Sequence, residues 1–277
     1  IYNPWTSGFP TGSISKFMNR LLDNNYTVIV VEQIPNTTPI ERHITSIQSP
    51  AVCDMCFDNN TYNSVAISNN LVCIVIENQN WRDLLTHRVD LYEISVGLSA
   101  IDISTNKTTV YEIGSTRKGK PELASNEIYR FLQTYRCKEL IIYLESFKVV
   151  TPSDKSALEK YFKTALELDR YNVSLFEINV IPPDFKRVQY QNQLLSKVFK
   201  QQVCGPGISV LQYLHLDMYQ TASLSYCCLI DYIYKRNETY LRNIDKPEWW
   251  DSDTHLVLAH NAIRQLDITS QSEKRKG

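Results

Sequence analysis

Asp102 and Glu145 are the two residues whose type and spacing most directly suggest chemistry. Asp102 stands near the end of the apolar run 95–103, and Glu145 directly follows the apolar run 139–144, so both sit at the ends of expected strands. Two carboxylates so placed in one sheet can hold a pair of divalent cations and activate water for phosphodiester hydrolysis. A third carboxylate is not evident at a strand end, although Asp169 and Glu177 are available. The plainer reading of Asp102-Ile-Ser-Thr-Asn106 is a turn, in which short polar side chains bond to the local backbone. Cys53-Asp-Met-Cys56 is the only cysteine pair at metal or redox spacing, and no second pair completes a zinc site. His43, His87, His215, His255 and His260 fall in unrelated segments, and spacing alone yields no Cys/His or Ser/His/Asp grouping.

The elements that must carry these residues begin with a Gly8-Phe9-Pro10 turn. Ile14, Phe17, Met18, Leu21 and Leu22 recur at three- and four-residue steps, which predicts a helix with one face on a sheet. Ser13 is its expected N-cap, and Asp23-Asn24-Asn25 its stop. A strand over 26–33 follows, then a proline-bounded loop over 35–39 and an alternating edge strand over 42–47. Residues 53–64 are polar and turn-rich, as a linker would be. Residues 65–76 suggest a hairpin turning at Asn69-Asn70, and 95–103 and 108–113 a further strand pair. Helices are predicted from a Ser125 cap and over 153–169, alternating with strands over 139–144 and 172–178. The first of these helices presents Ile128, Phe131, Leu132 and Tyr135 on one face, and the second buries Leu158, Tyr161, Phe162, Ala165 and Leu166. An antiparallel hairpin leading into alternating helices and strands is an α/β order of the RNase H-like kind. The last third reads as helical, over 185–202, 208–214 and 220–238. Ala222, Tyr226, Leu229, Ile230, Ile233 and Tyr234 make an apolar stripe on the longest of these helices. For Trp249-Trp250, packing over the core entry is expected ahead of binding a partner.

With 277 residues the chain has room for one large domain or two smaller ones, and its 43% apolar and 21% charged content is that of a globular protein. A formal net charge of −1 supplies no global attraction to nucleic acid, so any such binding needs a local patch. The apolar runs are strand-length, which argues against a membrane span, and no signal-peptide pattern opens the chain. The seven cysteines lack a disulfide framework and read as reduced thiols in an intracellular protein. A first residue of Ile rather than Met suggests a missing N-terminal part.

Four segments, taken in order, resemble the MutS DNA mismatch repair family. The Gly8-Phe9-Pro10 turn, helix and Val28–Gln33 strand, then 41–50 (Glu-Arg-His-Ile-Thr-Ser-Ile-Gln-Ser-Pro), are similar to the end of its mismatch-binding domain, E-R-x-V-x-R-I-x-T-P-G-T included. Residues 96–105 resemble the I-G-L-A-x-x-D-x-S-T-G strand of the RNase H-like connector, and 225–233 the A-x-x-A-L-x-Y-L helix. Residues 256–268 resemble L-x-L-D-x-x-T-x-R-N-L-E-L, the entry to the core domain. The opening Asn3-Pro4-Trp5-Thr6-Ser7-Gly8-Phe9-Pro10 and the Asn- and Tyr-rich composition look most like the giant-virus and octocoral mitochondrial branch. Ala51 stands where the family has the glycine of T-P-G-T, and Ala259 where it has the aspartate of L-x-L-D. Because alanine tolerates positive φ less well, a different turn geometry is expected at Ala51.

The resemblance implies an α/β fragment in this order: residues 1–52 as the C-terminal part of a small mismatch-binding domain, 53–92 as linker and start of the connector, 93–203 as the RNase H-like connector, and 204–277 as the start of the all-α core. It implies proximity of Thr6, Ser7, Gly8 and Arg42 to DNA, through hydroxyl and backbone contacts to phosphates. It implies that Asp102 is a turn residue and that this part has no catalytic activity, metal or cofactor. A full-length protein would bind mismatched double-stranded DNA as a homodimer or heterodimer, use ATP and Mg2+, and offer the connector to a MutL-like partner. The family's Phe-x-Glu motif would precede Ile1, and its Gly-x-x-x-x-Gly-Lys-Ser/Thr phosphate loop would follow Gly277. The competing readings are a metal-dependent nuclease using Asp102 and Glu145, or a stand-alone interaction module.

Overall fold

The computed structural model describes residues 8–35, 39–53, 69–79, 94–114, 122–135, 137–149, 151–199 and 207–251. The expected first unit is there. A single turn over Thr11–Ser13 leads into α1 (Ile14–Asp23), and β1 (Val28–Gln33) pairs antiparallel with β2 (Arg42–Gln48), with a bulge between Val30 and Val31. Asn24 and Asn25 end the helix as their types predict. The Asn24 amide donates to Arg20 O, and Asn25 adopts φ 64°. Ser13 occupies the N-cap position without a side-chain capping bond. Only Leu22 of the α1 apolar set is buried, while Ile14, Leu21, Ile29, Val31 and Ile44 remain exposed.

A six-stranded mixed sheet forms the second layer, in the order β7-β6-β3-β4-β5-β8. Its strands are β3 (Asn70–Asn78), β4 (Ile94–Asp102), β5 (Lys107–Ile113), β6 (Cys137–Glu145), β7 (Val173–Ile178) and β8 (Glu248–Trp249). β3 runs antiparallel to β4 and parallel to β6, and β6 runs parallel to β7. The hairpin turn expected at Asn69-Asn70 is absent: Asn70 opens β3, and its amide donates to Tyr135 O.

Because both faces of β3 meet a core, the strand is apolar without alternation from Leu71 to Ile76. Leu71, Cys73 and Val75 face one core, and Val72, Ile74 and Ile76 face the other. The second core is closed by α2 (Glu122–Tyr135) and α3 (Pro152–Ala165), through Ile128, Phe131, Leu132, Leu158 and Phe162. Ser125 lies inside α2 rather than at its cap. α3 starts instead from a reciprocal capping box, Thr151 with Asp154.

The first core is closed by α4 (Val188–Ser196), α5 (Val210–Tyr213) and α6 (Gln220–Tyr234). Within the described part of 204–277, α6 lies on β3 and β4, and β8 extends the sheet alongside β5. Small residues permit this close approach. Ser95 and Thr221 share a hydrogen bond, as do Ser99 and Ser225, and Ser225 also donates to Cys73 O. Glu112 caps the helix, accepting from Thr221 N, Thr221 Oγ1 and Ala222 N at 2.8, 2.8 and 2.9 Å. Trp250 packs edge-on against Tyr111 and Phe131, the core role expected of it. No helix among the described residues is long and apolar enough to cross a membrane.

Candidate functional site: a buried carboxylate joint

The proposed nuclease pair is not a pair. Asp102 is in register with Asn70 at one end of β3, whereas Glu145 is in register with Glu77 at the other. At a rise of about 3.3 Å per residue, the two carboxylates stand roughly 23 Å apart along the sheet. Asp102 instead closes its turn, Oδ1 accepting from Ser104 N at 3.0 Å and from the Ser104 hydroxyl at 2.5 Å. Asp169 lies in the turn Leu168–Arg170, and Glu177 is in register with Tyr143.

At the carboxyl edge of the parallel strands, Glu77 and Glu145 do meet, but around a lysine. Lys186 Nζ lies 3.1 Å from Glu77 Oε1 and 3.2 Å from Glu145 Oε2. Burial pulls its pKa down, but the hydrogen bond to Glu77 and the two carboxylate charges outweigh that, so the ammonium is held above its ordinary value. The chain thus supplies its own cation here, pinning the turn Pro183–Lys186 to the sheet edge. Among the described residues no group of three His, Cys, Asp or Glu side chains is arranged to hold a metal ion.

Of the residues expected near DNA, Thr6 and Ser7 lie outside the described residues. Gly8 is exposed, with open space around the position of a Cβ, and Arg42 is exposed at the start of β2, opposite Gln33. Of the Cys53/Cys56 pair, Cys53 is buried and Cys56 lies outside the described residues. Cys73, Cys137, Cys227 and Cys228 all have thiols pushed up chiefly by burial, Cys73 to about 12, so they are packing groups rather than nucleophiles.

The most organised polar cluster surrounds Glu139, which is 0% exposed. Its Oε2 accepts from the Ser49 hydroxyl at 2.7 Å and from Ala51 N at 3.0 Å, and its Oε1 accepts from the Tyr232 hydroxyl. The cluster joins three separate places: the turn that leaves β2, the start of β6 with Glu139 itself, and the last turns of α6. The first is a tight reciprocal turn, Ser49 N to Val52 O at 2.8 Å and Val52 N to Ser49 O at 3.0 Å, with Ser49, Ala51 and Val52 fully buried. Ala51 is not among the residues with positive φ, so alanine fits the turn without strain. Behind Tyr232, the Arg236 guanidinium sits 3.3 Å over the ring centroid and donates to Tyr232 O. The Tyr232 phenol is raised by burial and then by the Glu139 charge, so at neutral pH it is a donor.

Sequence reasoning missed Glu139. A charged residue inside an otherwise apolar strand was the available signal, because a buried carboxylate demands donors.

No family model matches the sequence. A putative DNA mismatch repair protein, a mutS homolog of Acanthamoeba polyphaga mimivirus, is 28% identical over 272 residues, covering 92% of this chain and 22% of that protein. The DNA mismatch repair protein MutS of Caldanaerobacter subterraneus subsp. tengcongensis is 20% identical over 277 residues, covering 98% of this chain and 26% of that protein. The chain thus spans about a quarter of the length of the curated relatives it matches. Among solved structures, the Fowlpox virus resolvase in complex with Holliday junction DNA aligns over 60% of this chain and 97% of that one, at 11% identity and a TM-score of 0.29, too low for any functional or fold argument.

Proposed function

From the relationship of this chain to the MutS family of DNA mismatch repair proteins, we propose that it is the connecting part of such a protein. Its job is to relay movement between a DNA-binding region and an ATPase. The observation that carries this reading is the collinear match along nearly the whole chain to two mismatch repair proteins of very different source. α1, β1 and β2 are read as the end of a mismatch-binding domain. The layer from β3 to β8 is read as an RNase H-like connector, which its strand order and central parallel pair support. Thr6, Ser7, Gly8 and Arg42 then approach the sugar-phosphate backbone. Mismatched duplex, ATP with Mg2+, dimerisation and a MutL-like partner belong to the longer protein. The residues of this chain contribute binding and transmission, and no catalysis.

Fluorescence anisotropy with a labelled duplex carrying one G·T mismatch, beside its matched counterpart, tests the reading. The 277-residue chain should bind both weakly, with equal affinity, and lose binding steeply as salt rises. A tenfold preference for the mismatch would contradict the assignment of this part as a relay rather than a reader. So would Mg2+- or Mn2+-dependent cleavage of the duplex that disappears in Asp102→Asn.

A further inference from the structure

We propose that Glu139 is the positioning residue that couples the two-stranded unit to helix α6. The inference deepens the relay reading by naming the joint. α1, β1 and β2 pack on one another, and none of them packs extensively on an element of the six-stranded layer. The buried turn 49–52 attaches them to that layer, its Ser49 hydroxyl and Ala51 amide both ending on Glu139 Oε2. The other oxygen of the same carboxylate holds Tyr232, in the last turns of α6.

The carboxylate is buried, and no lysine or arginine forms an ion pair with it among the described residues. Such a group is tolerable only while its donors are in place, because an unsatisfied buried charge is strongly unfavourable. Its two oxygens are rigidly linked, so a shift of the 49–52 turn that strips donors from Oε2 reorients Oε1 against the Tyr232 hydroxyl. Tyr232 in turn carries the Arg236 guanidinium on its ring and bonds it through its carbonyl. Displacement of β2 is therefore felt at the C-terminal end of α6, and the reverse. Two segments singled out separately in the sequence, 41–50 and 225–233, meet at this one side chain.

The coupling is tested without DNA or nucleotide, by amide hydrogen exchange on the 277-residue chain. Tyr232 has no hydrogen bond to Ser49 or Ala51, so a purely local role predicts that Tyr232→Phe leaves the 49–52 amides alone. The joint predicts that Tyr232→Phe speeds exchange at Ala51 and Val52 by about tenfold, the loss expected for one hydrogen bond to a charged acceptor, while 72–76 and 96–100 keep their protection. Ser49→Ala should reciprocally speed exchange at Arg236 and Asn237, and the double variant should show less than the sum of the two effects. Unchanged 49–52 exchange in Tyr232→Phe would overturn the proposal, as would a uniform rise across the sheet, the mark of general destabilisation. Failure of mismatch repair function in the longer protein would leave these exchange patterns intact, so the joint and the relay reading fail separately.

Discussion

Gly97 on β4 and Thr221 at the start of α6 approach so closely that a Cβ on the glycine would lie 1.9 Å from the Thr221 carbonyl oxygen. The obstacle is backbone, and no rotamer change relieves it. Gly97→Ala must lift the first turn of α6, with its Glu112 cap and its Ser95–Thr221 contact, off the sheet. The expected loss is about 3 kcal/mol or more, at the upper end for overpacking. Urea unfolding measures it, with Gly114→Ala as control, since nothing lies within 4 Å of a Cβ at that position. Equal midpoints for the two variants would contradict the packing described for α6.

Ala51 stands where the related family carries glycine, yet its turn is closed by reciprocal backbone bonds without a positive φ. Ala51→Gly should therefore destabilise the chain, by about 1 kcal/mol, because glycine adds freedom to the unfolded state and gives up a buried methyl. A gain in melting temperature would show that the turn prefers the left-handed region after all.

Alkali should unfold the protein earlier than its surface charge suggests. Burial raises Cys73 from 9.0 to about 12. Below pH 9 the thiol is protonated in folded and unfolded chains alike, and its full stabilising contribution is present. Between 9 and about 12 only the unfolded chain releases the proton, so stability falls as pH rises, by about 1.4 kcal/mol per unit for one such group. Cys137, Cys227 and Cys228 are shifted in the same direction by burial. Thermal melts from pH 7 to 10.5 should show a declining midpoint above pH 9, with a shallower decline in Cys73→Ala. Parallel curves for the two proteins would mean that Cys73 ionises as freely in the folded chain as in the unfolded one.

Much of the architecture was legible because it is local. The runs at 95–103, 108–113, 139–144 and 172–178 became β4 to β7 within a residue or two, since period-two alternation and turn chemistry around Asn106 fix them. The errors concern distance along the chain. Asn69-Asn70 has the composition of a hairpin turn, but the partner of β3 is β4, reached only after the intervening 79–93. The spacing of the α6 stripe marks it as apolar, yet nothing in that spacing says that it lies on Gly97 rather than on other helices. The site fared worse. Asp102 and Glu145 looked like partners because both end strands, and only the register of β3 shows that they end them on opposite sides. Glu139 draws its donors from Ser49 and Tyr232, a three-way meeting that no local pattern encodes.

The most direct test of the relay assignment is the sequence of the reading frame on either side of these 277 residues. The account predicts a Phe-x-Glu motif upstream of Ile1 and a Gly-x-x-x-x-Gly-Lys-Ser/Thr phosphate loop downstream of Gly277. A reading frame that lacks both would contradict it and leave an independent interaction module in its place.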